Sequence, residues 1–197
     1  NQVTSSRNLE SGIFVQNSSG ISITDSNASF NQQNGIFLDQ SDDNDISGNI
    51  LNFNQYAGAF IHQSDNNKLS DNYASNNSMY GFLVSDSNAT ELDSNYAANT
   101  SSLNGTGFGL VNASYTSLIN NTGKDNVYYG LNMSDSTRTT MTDNTLSGNK
   151  FNFKIEGTED ESFYHDIDTS NKVDGKLIYY FNDTNDVSLD ESSNAGT

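Results

Sequence analysis

Three residues of this chain combine proton-transfer chemistry with a suggestive spacing. Asp39 and His62 are 23 residues apart, and Asp86 follows 24 residues later. A carboxylate can orient an imidazole and stabilise its charged form, a common arrangement for acid–base chemistry at a sugar or acyl bond. Residues so spaced meet only if the chain returns to the same place about every 23 residues. Acids also group elsewhere: Asp42, Asp43 and Asp45 in one stretch, Asp65 at 23 residues from Asp42, and Glu159, Asp160 and Glu161. Calcium needs several oxygen ligands converging on one point. Neither group matches an EF-hand or a nonapeptide calcium repeat. The expectation is therefore no cofactor, with Asp42, Asp43, Asp45 and Asp65 as the one candidate calcium site.

Asn-x-Ser/Thr occurs at Asn17, Asn27, Asn76, Asn88, Asn99, Asn104, Asn112, Asn120, Asn132 and Asn182. With 31 Asn and 45 Ser plus Thr among 197 residues, composition accounts for most of these. They are glycosylation candidates only in a secreted protein of a glycosylating host. Asn88 and Asn112 read as turn acceptors. Asn120, read as part of an Asn ladder, is a poorer one.

The acids outnumber the bases 25 to 8, a net charge of −17. That charge repels phosphate backbones, which excludes nucleic acid as a partner, and it disfavours an anionic membrane surface. No apolar run approaches the roughly 18 residues of a spanning helix, so no membrane insertion is expected. Cysteine is absent, which excludes disulfides and thiolate metal sites. The chain opens at Asn1-Gln2-Val3 as if mid-repeat, and reads as a processed chain or a piece of a longer one. Apolar residues make up 32%, too few for an ordinary two-layer core. The fold must therefore work with a thin core.

Its periodicity supplies that fold. Gly12-Ile13-Phe14-Val15 recurs as Gly35-Ile36-Phe37-Leu38, Gly58-Ala59-Phe60-Ile61, Gly81-Phe82-Leu83-Val84, Gly107-Phe108-Gly109-Leu110 and Gly130-Leu131-Asn132-Met133. The spacings are 23, 23, 23, 26 and 23, with an insertion near residues 101–105, and a glycine-less seventh copy follows at Asn152-Phe153-Lys154-Ile155. Ile23, Ile46, Leu69, Leu92, Leu118 and Met141 keep the same register. So do Asn49, Asn72, Asn95, Asn121 and Asn144, and a further column of Asn31, Asn54, Asn77, Asn126 and Asn149 with Thr100 in the open place. Apolar residues two apart are strand periodicity, and such short strands are stable only when stacked. The prediction is all-β: a right-handed parallel β-helix, a solenoid of about seven turns of roughly 23 residues. Residues 1–156 are its repeats, and residues 157–197 a C-terminal cap or connector of the same domain.

Neighbours on a strand alternate in direction. If Ile13 and Val15 point inward, Phe14, Phe37, Phe60 and Leu83 form an outer apolar stripe. A contiguous stripe calls for something to cover it: a partner or neighbouring subunit, the chain's own C-terminal segment folded back, or a sugar for which the rings are a platform. Leu177, Ile178, Tyr179, Tyr180 and Phe181 form a spare strand that either caps its own helix or joins a neighbouring molecule. These nine residues are the expected assembly or partner interface.

The stretch from Asn44-Asp45-Ile46-Ser47-Gly48-Asn49 through Gly58-Ala59-Phe60-Ile61-His62-Gln63-Ser64 resembles the right-handed β-helix repeat of NosD-like proteins. His165 to Lys176 with Ile178-Tyr179-Tyr180 resembles a segment that follows such repeats in archaeal cell-surface proteins. The resemblance covers nearly the whole chain and implies the fold; it fixes no activity. The family name suggests copper, yet His62 and His165 lie over a hundred residues apart and Met79, Met133 and Met141 have no ligand spacing, so no copper site is expected. In this fold Asp39 and His62 share a column, with Asp86 beside Ser85 in the next turn, and no Lys or Arg accompanies them. No catalytic residue is assigned, and the chain is expected not to be an enzyme. The expected function is an extracellular, cell-surface structural protein, self-assembling into a filament, sheath or surface layer as a homo-oligomer or polymer. Its surface would meet N-linked glycans or cell-surface polysaccharide. The alternatives are a carbohydrate-binding adhesin and a polysaccharide-cleaving β-helix enzyme.

Overall fold

The computed structural model describes residues 2–182 and Leu189. The chain winds as a right-handed parallel β-helix with three sheets running its length. The first sheet carries the longest strands, Ile13–Gln16, Ile36–Asp39, Ala57–His62, Tyr80–Ser85, Thr106–Val111, Tyr129–Ser134 and Phe151–Glu156. The second runs from Ser22–Thr24 through five more strands to Asp166–Ile167. The third runs from Tyr73–Ser75 to Lys172–Val173, and the pairs Thr4–Asn27, Asn27–Ile50 and Ile50–Tyr73 extend it toward the first turns. Equivalent residues pair at the 23-residue spacing, for example Ile13 with Ile36 and Ile36 with Ala59. The insertion near residue 101 is absorbed in a loop, so register resumes at Phe82–Phe108.

Alternation along each strand sorts the side chains. Ile36, Leu38, Ile61, Val84 and Leu110 are wholly buried. The ladder Ile23, Ile46, Leu69, Leu92, Leu118 and Met141 stacks in register in the second sheet, is buried throughout, and continues to Ile167. The recurring glycine marks a close approach where the chain bends into the first sheet. A Cβ on Gly35 would lie 2.6 Å from the carbonyl oxygens of both Ala28 and Gly58.

Amide side chains hold the corners. In the column Asn49, Asn72, Asn95, Asn121, Asn144, each Nδ2 donates to the Oδ1 of the next Asn (2.8–3.2 Å), ending on Asn171. Each Nδ2 also donates, at 2.7–2.8 Å, to the carbonyl of Ile23, Ile46, Leu69, Leu92 and Leu118 in turn, the buried apolar ladder itself. Each Oδ1 from Asn72 onward also accepts the backbone N–H of the preceding Asn. The column through Asn31, Asn54 and Asn77 does the same on the opposite corner. Where Thr100 replaces Asn in that column, its buried Oγ1 finds no partner.

The C-terminal part departs from expectation in two ways. The repeat body does not stop at residue 156. After a short 3-10 turn at Asp160–Phe163, two further strands, Asp166–Ile167 and Lys172–Val173, extend the second and third sheets. The stretch Leu177 to Phe181 is not one strand. Only Lys176–Leu177 pairs, antiparallel to Lys172–Val173, and Ile178 then enters the core with Tyr180 packed against it. The antiparallel return places this segment across its own last turn.

Replacing Asn72 by Ala removes two donated and two accepted buried hydrogen bonds. It should lower the unfolding free energy by about 3 kcal/mol or more, read from the denaturant midpoint. An unchanged midpoint would show that the ladder does not hold the corner. Leu69→Asp buries an unpaired carboxylate at a cost of several kcal/mol, and circular dichroism should show the middle turns unfolded.

Candidate functional site

The outward face of the first sheet brings together the residues that the spacing singled out. Asp39, His62 and Ser85 are register partners on consecutive strands. Asp39 Oδ1 lies 3.0 Å from His62 Nδ1, and Gln16, one turn earlier, donates to Asp39 Oδ2 at 2.8 Å. Asp86 arrives from the corner. It occupies the column of Gln40, Gln63 and Asn112, all left-handed with φ between 49° and 46° apart from Asp86 itself at 52°. A short polar side chain tolerates that conformation, and the turn sets Asp86 Oδ2 at 3.8 Å from His62 Nε2. Ser85 Oγ donates to Asp86 Oδ2 (2.9 Å) and Asn112 Nδ2 to Asp86 Oδ1 (2.7 Å).

These contacts set the charge states. Hydrogen bonds from His62 and then Gln16 hold the Asp39 carboxyl below its ordinary value, and those from Asn112 and Ser85 do the same for Asp86. Both are carboxylates near neutrality. Nδ1 of His62 therefore donates to Asp39, which turns Nε2 toward solvent with the Asp86 carboxylate 3.8 Å away, where it favours a proton on that nitrogen. The cluster is an imidazole oriented by one carboxylate and faced by another, arranged for proton transfer.

An aromatic run lies beside it. Phe14, Phe37 and Phe60 stack with centroids 5.1 and 5.0 Å apart and planes within 17°, an offset geometry. Phe60 leans on His62 at 5.6 Å, and Tyr56 on Phe60 at 5.9 Å. The predicted stripe changes at its fourth member. Leu83 is buried rather than exposed, and its Cδ1 and the Tyr80 ring both lie over Gly109, where a Cβ would come 3.1 Å from Leu83 Cδ1 and 2.9 Å from Tyr80 Cε1. Neither Tyr56 nor Tyr80 was singled out from sequence. Burial raises both phenols above their ordinary value, so they are neutral. A second stack, Phe30 on Phe53 at 4.8 Å, was also missed, though its 23-residue spacing was there to find. Both rings stand on left-handed backbone, φ 63° and 57°, where the same column elsewhere uses Asn76, Asn99 and Asp125.

The other candidates disperse. Asp42 accepts the backbone N–H of Asp65 (2.7 Å), and Asp65 that of Asn88 (2.6 Å), so these carboxylates serve the turns. Asp43 sits on left-handed backbone, and Asp45 pairs in register with Lys68. Among the described residues no group of three or more His, Cys, Asp or Glu could hold a metal ion, and calcium at Asp42, Asp43, Asp45 and Asp65 is not supported. Of the sequons, Asn17, Asn76, Asn88, Asn99, Asn104 and Asn112 are exposed. Asn120 is exposed too, at a left-handed turn, because the ladder uses Asn121. Asn27 and Asn132 are half-buried with an enclosed Oδ1, and Asn182 is half-buried.

A family model described as "Periplasmic copper-binding protein (NosD)" matches residues 2–192. The chain belongs to the NosD family. A search of curated proteins finds no match. Among solved structures, a variant of the periplasmic alginate epimerase AlgG superposes with a TM-score of 0.72 at 17% identity, over 88% of this chain and 43% of that one. Pectate lyase Pel9A gives 0.64 at 15%, over 83% and 51%. The A-module of the Azotobacter vinelandii mannuronan C-5 epimerase AlgE4 gives 0.55 at 13%, over 81% and 53%. The chain thus spans about half the length of these structures or less, and at such identities the likeness shows the fold alone. It still corrects one expectation. The expectation is that the chain is not an enzyme, yet its fold neighbours are polysaccharide-acting enzymes, and Asp39, His62 and Asp86 come together in space although no Lys or Arg joins them.

Copper, named in the NosD description, does not fit the residues present. His165 uses both ring nitrogens structurally: Nδ1 accepts the Thr139 N–H (3.2 Å) and Nε2 donates to the Ser162 carbonyl (2.9 Å). Met133 and Met141 are buried in the core, and Met79 Sδ accepts from Ser102. His62 is left with carboxylates and no second soft or nitrogen ligand.

The lowered carboxyls make stability pH-dependent. Because Asp39 and Asp86 titrate lower folded than unfolded, their contribution is present above about pH 4 and is lost as pH falls through their folded values. Burial also lowers the His165 pKa, so its protonation on unfolding adds loss in the same direction below about pH 6.5. Urea midpoints should fall from pH 7 to pH 3. Asp39→Asn should shrink the part of that fall below pH 4, and an undiminished fall would reject the Asp39 assignment.

Proposed function

We propose that this protein acts on an extracellular polysaccharide that lies along the outer face of the first sheet, with His62 as the proton-transfer group. The observation that carries this is His62 fixed between Asp39 and Asp86, directly beside the Phe14–Phe37–Phe60 stack. Aromatic rings pack against the C–H faces of sugars, while carboxylates and amides hydrogen-bond to hydroxyls, so the two strips together suit a sugar chain. In this role Asp39 orients the ring and stabilises its protonated form. Nε2 takes a proton from a water whose oxygen bonds to the anomeric carbon, and gives it to the glycosidic oxygen as the old C–O bond breaks, so the ring ends as it began. Asp86, anionic and near Nε2, favours the imidazolium midway. The polysaccharide-acting enzymes among the fold neighbours support the substrate class. The periplasmic description of the NosD family supports a location on the extracytoplasmic side. No helix among the described residues is long and apolar enough to cross a membrane.

Incubation with a polysaccharide panel, read as new reducing ends or unsaturated products, tests this. Turnover should fall by about 100-fold or more in His62→Ala, the usual size of a lost acid–base group, with glycan retention on native gels kept. Phe37→Ala and Phe60→Ala should weaken retention instead. A glycan held by the wild type and released unchanged would reject the role given to His62.

A further inference from the structure

We infer that the polysaccharide taken by this face is uncharged. The inference rests on the proposed function and narrows it by the distribution of charge. Two outward columns line the first sheet, one beginning at Phe14 and the other at Gln16. Through the first six turns neither contains a Lys or Arg. The cations at this face come only at the last turn, and both are engaged. Lys154 pairs with Glu156 and lies 5.3 Å over the Tyr129 ring, and Lys150 lies 4.6 Å over Tyr128.

What the face offers instead is neutral or negative. Beside the rings, a depression is lined by Gln32, Gln33, Gln55, Phe37, Tyr56 and Phe60. Primary amides donate and accept, which matches hydroxyl groups and gives no charge complement to a carboxylate. Asp39 and Asp86 are anions at the centre of the site. A polyuronate laid across them would set carboxylate against carboxylate with no guanidinium or ammonium to mediate. The molecule's net charge of −17 opposes the approach of any polyanion at longer range. Alginate and pectate are polyanions, so this face differs in kind from one complementary to them. A neutral chain meets none of these penalties: its ring faces take the phenylalanines and its hydroxyls the amides and carboxylates. Proton abstraction beside a uronate carboxylate needs that negative charge neutralised. Proton transfer at a glycosidic bond between neutral sugars does not, and it is what His62 is placed to perform.

The test is affinity electrophoresis of the full chain in gels containing neutral polymers (a soluble β-glucan, galactomannan, xyloglucan) or polyuronates (alginate, polygalacturonate). The polyuronate gels are run with and without added calcium. At least one neutral polymer should retard the protein, with an affinity unchanged within about twofold between about 50 and about 500 mM salt, because no charge pair is involved. Phe37→Ala should weaken it by about tenfold, the scale of one lost aromatic contact. Neither polyuronate should retard the protein in either condition. Polyuronate binding as tight as neutral binding, with or without calcium, and lost in Phe37→Ala, would overturn this inference while keeping the face as a polysaccharide site. No retardation by any polymer would overturn both.

Discussion

Everything in this molecule depends on a buried primary amide that bonds simultaneously to the turn before and the turn after. Asn72 shows the unit. Its Nδ2 reaches the carbonyl of Ile46 and the Oδ1 of Asn95, while its Oδ1 receives Asn49. A tight corner leaves backbone groups without ladder partners, and burying them bare would cost a hydrogen bond each. Asn repairs this at every turn. Because the acceptor carbonyls belong to Ile23 through Leu118, the polar corner and the apolar core are one assembly. This is how a chain with 32% apolar residues folds: the core need be only one side chain deep.

The same constraint makes the proposed site possible. Amide ladders admit one register, since a slip of one residue would drive every Asn out of its corner and every core side chain into solvent. Residues 23 apart therefore become neighbours about 4.8 Å apart on a surface that does not adjust. Asp39 and His62 meet for that reason, and the phenylalanines stack for the same one. Asp86 belongs to the corner and reaches His62 because its backbone is left-handed there. The site combines a rigid sheet with one turn-borne carboxylate.

The features that register alone controls were legible in the sequence: the inward ladder of Ile23 to Met141, both Asn columns, and the Asp39–His62 column. Features that depend on where a ring lies were not. Leu83 shares the column of Phe60, yet it is buried where the Tyr80 ring lies over the neighbouring Gly109, and no periodicity says which way a tyrosine at the end of a strand will fall. Asn120 and Asn121 are adjacent in sequence, but one is exposed and the other buried in the ladder, because the corner admits a single amide. The metal candidates failed for a related reason. Asp42 and Asp65 have the right oxygens and spacing, but each is spent on a backbone N–H in the next turn.

By itself the sequence determined the fold class, the period and the register, because each of these follows from repeated residue types at fixed spacing. It could not determine the closing of the C-terminal end. Leu177 to Phe181 has the composition of either a cap or a donated strand, and the antiparallel return at Lys176–Leu177 with the burial of Ile178 is a matter of packing. Nor could it determine that His62 would be held between two anions. That needs a left-handed corner to place Asp86 and a depressed carboxyl to fix the proton on Nδ1. Both are properties of contacts between turns, which exist only once the turns are stacked.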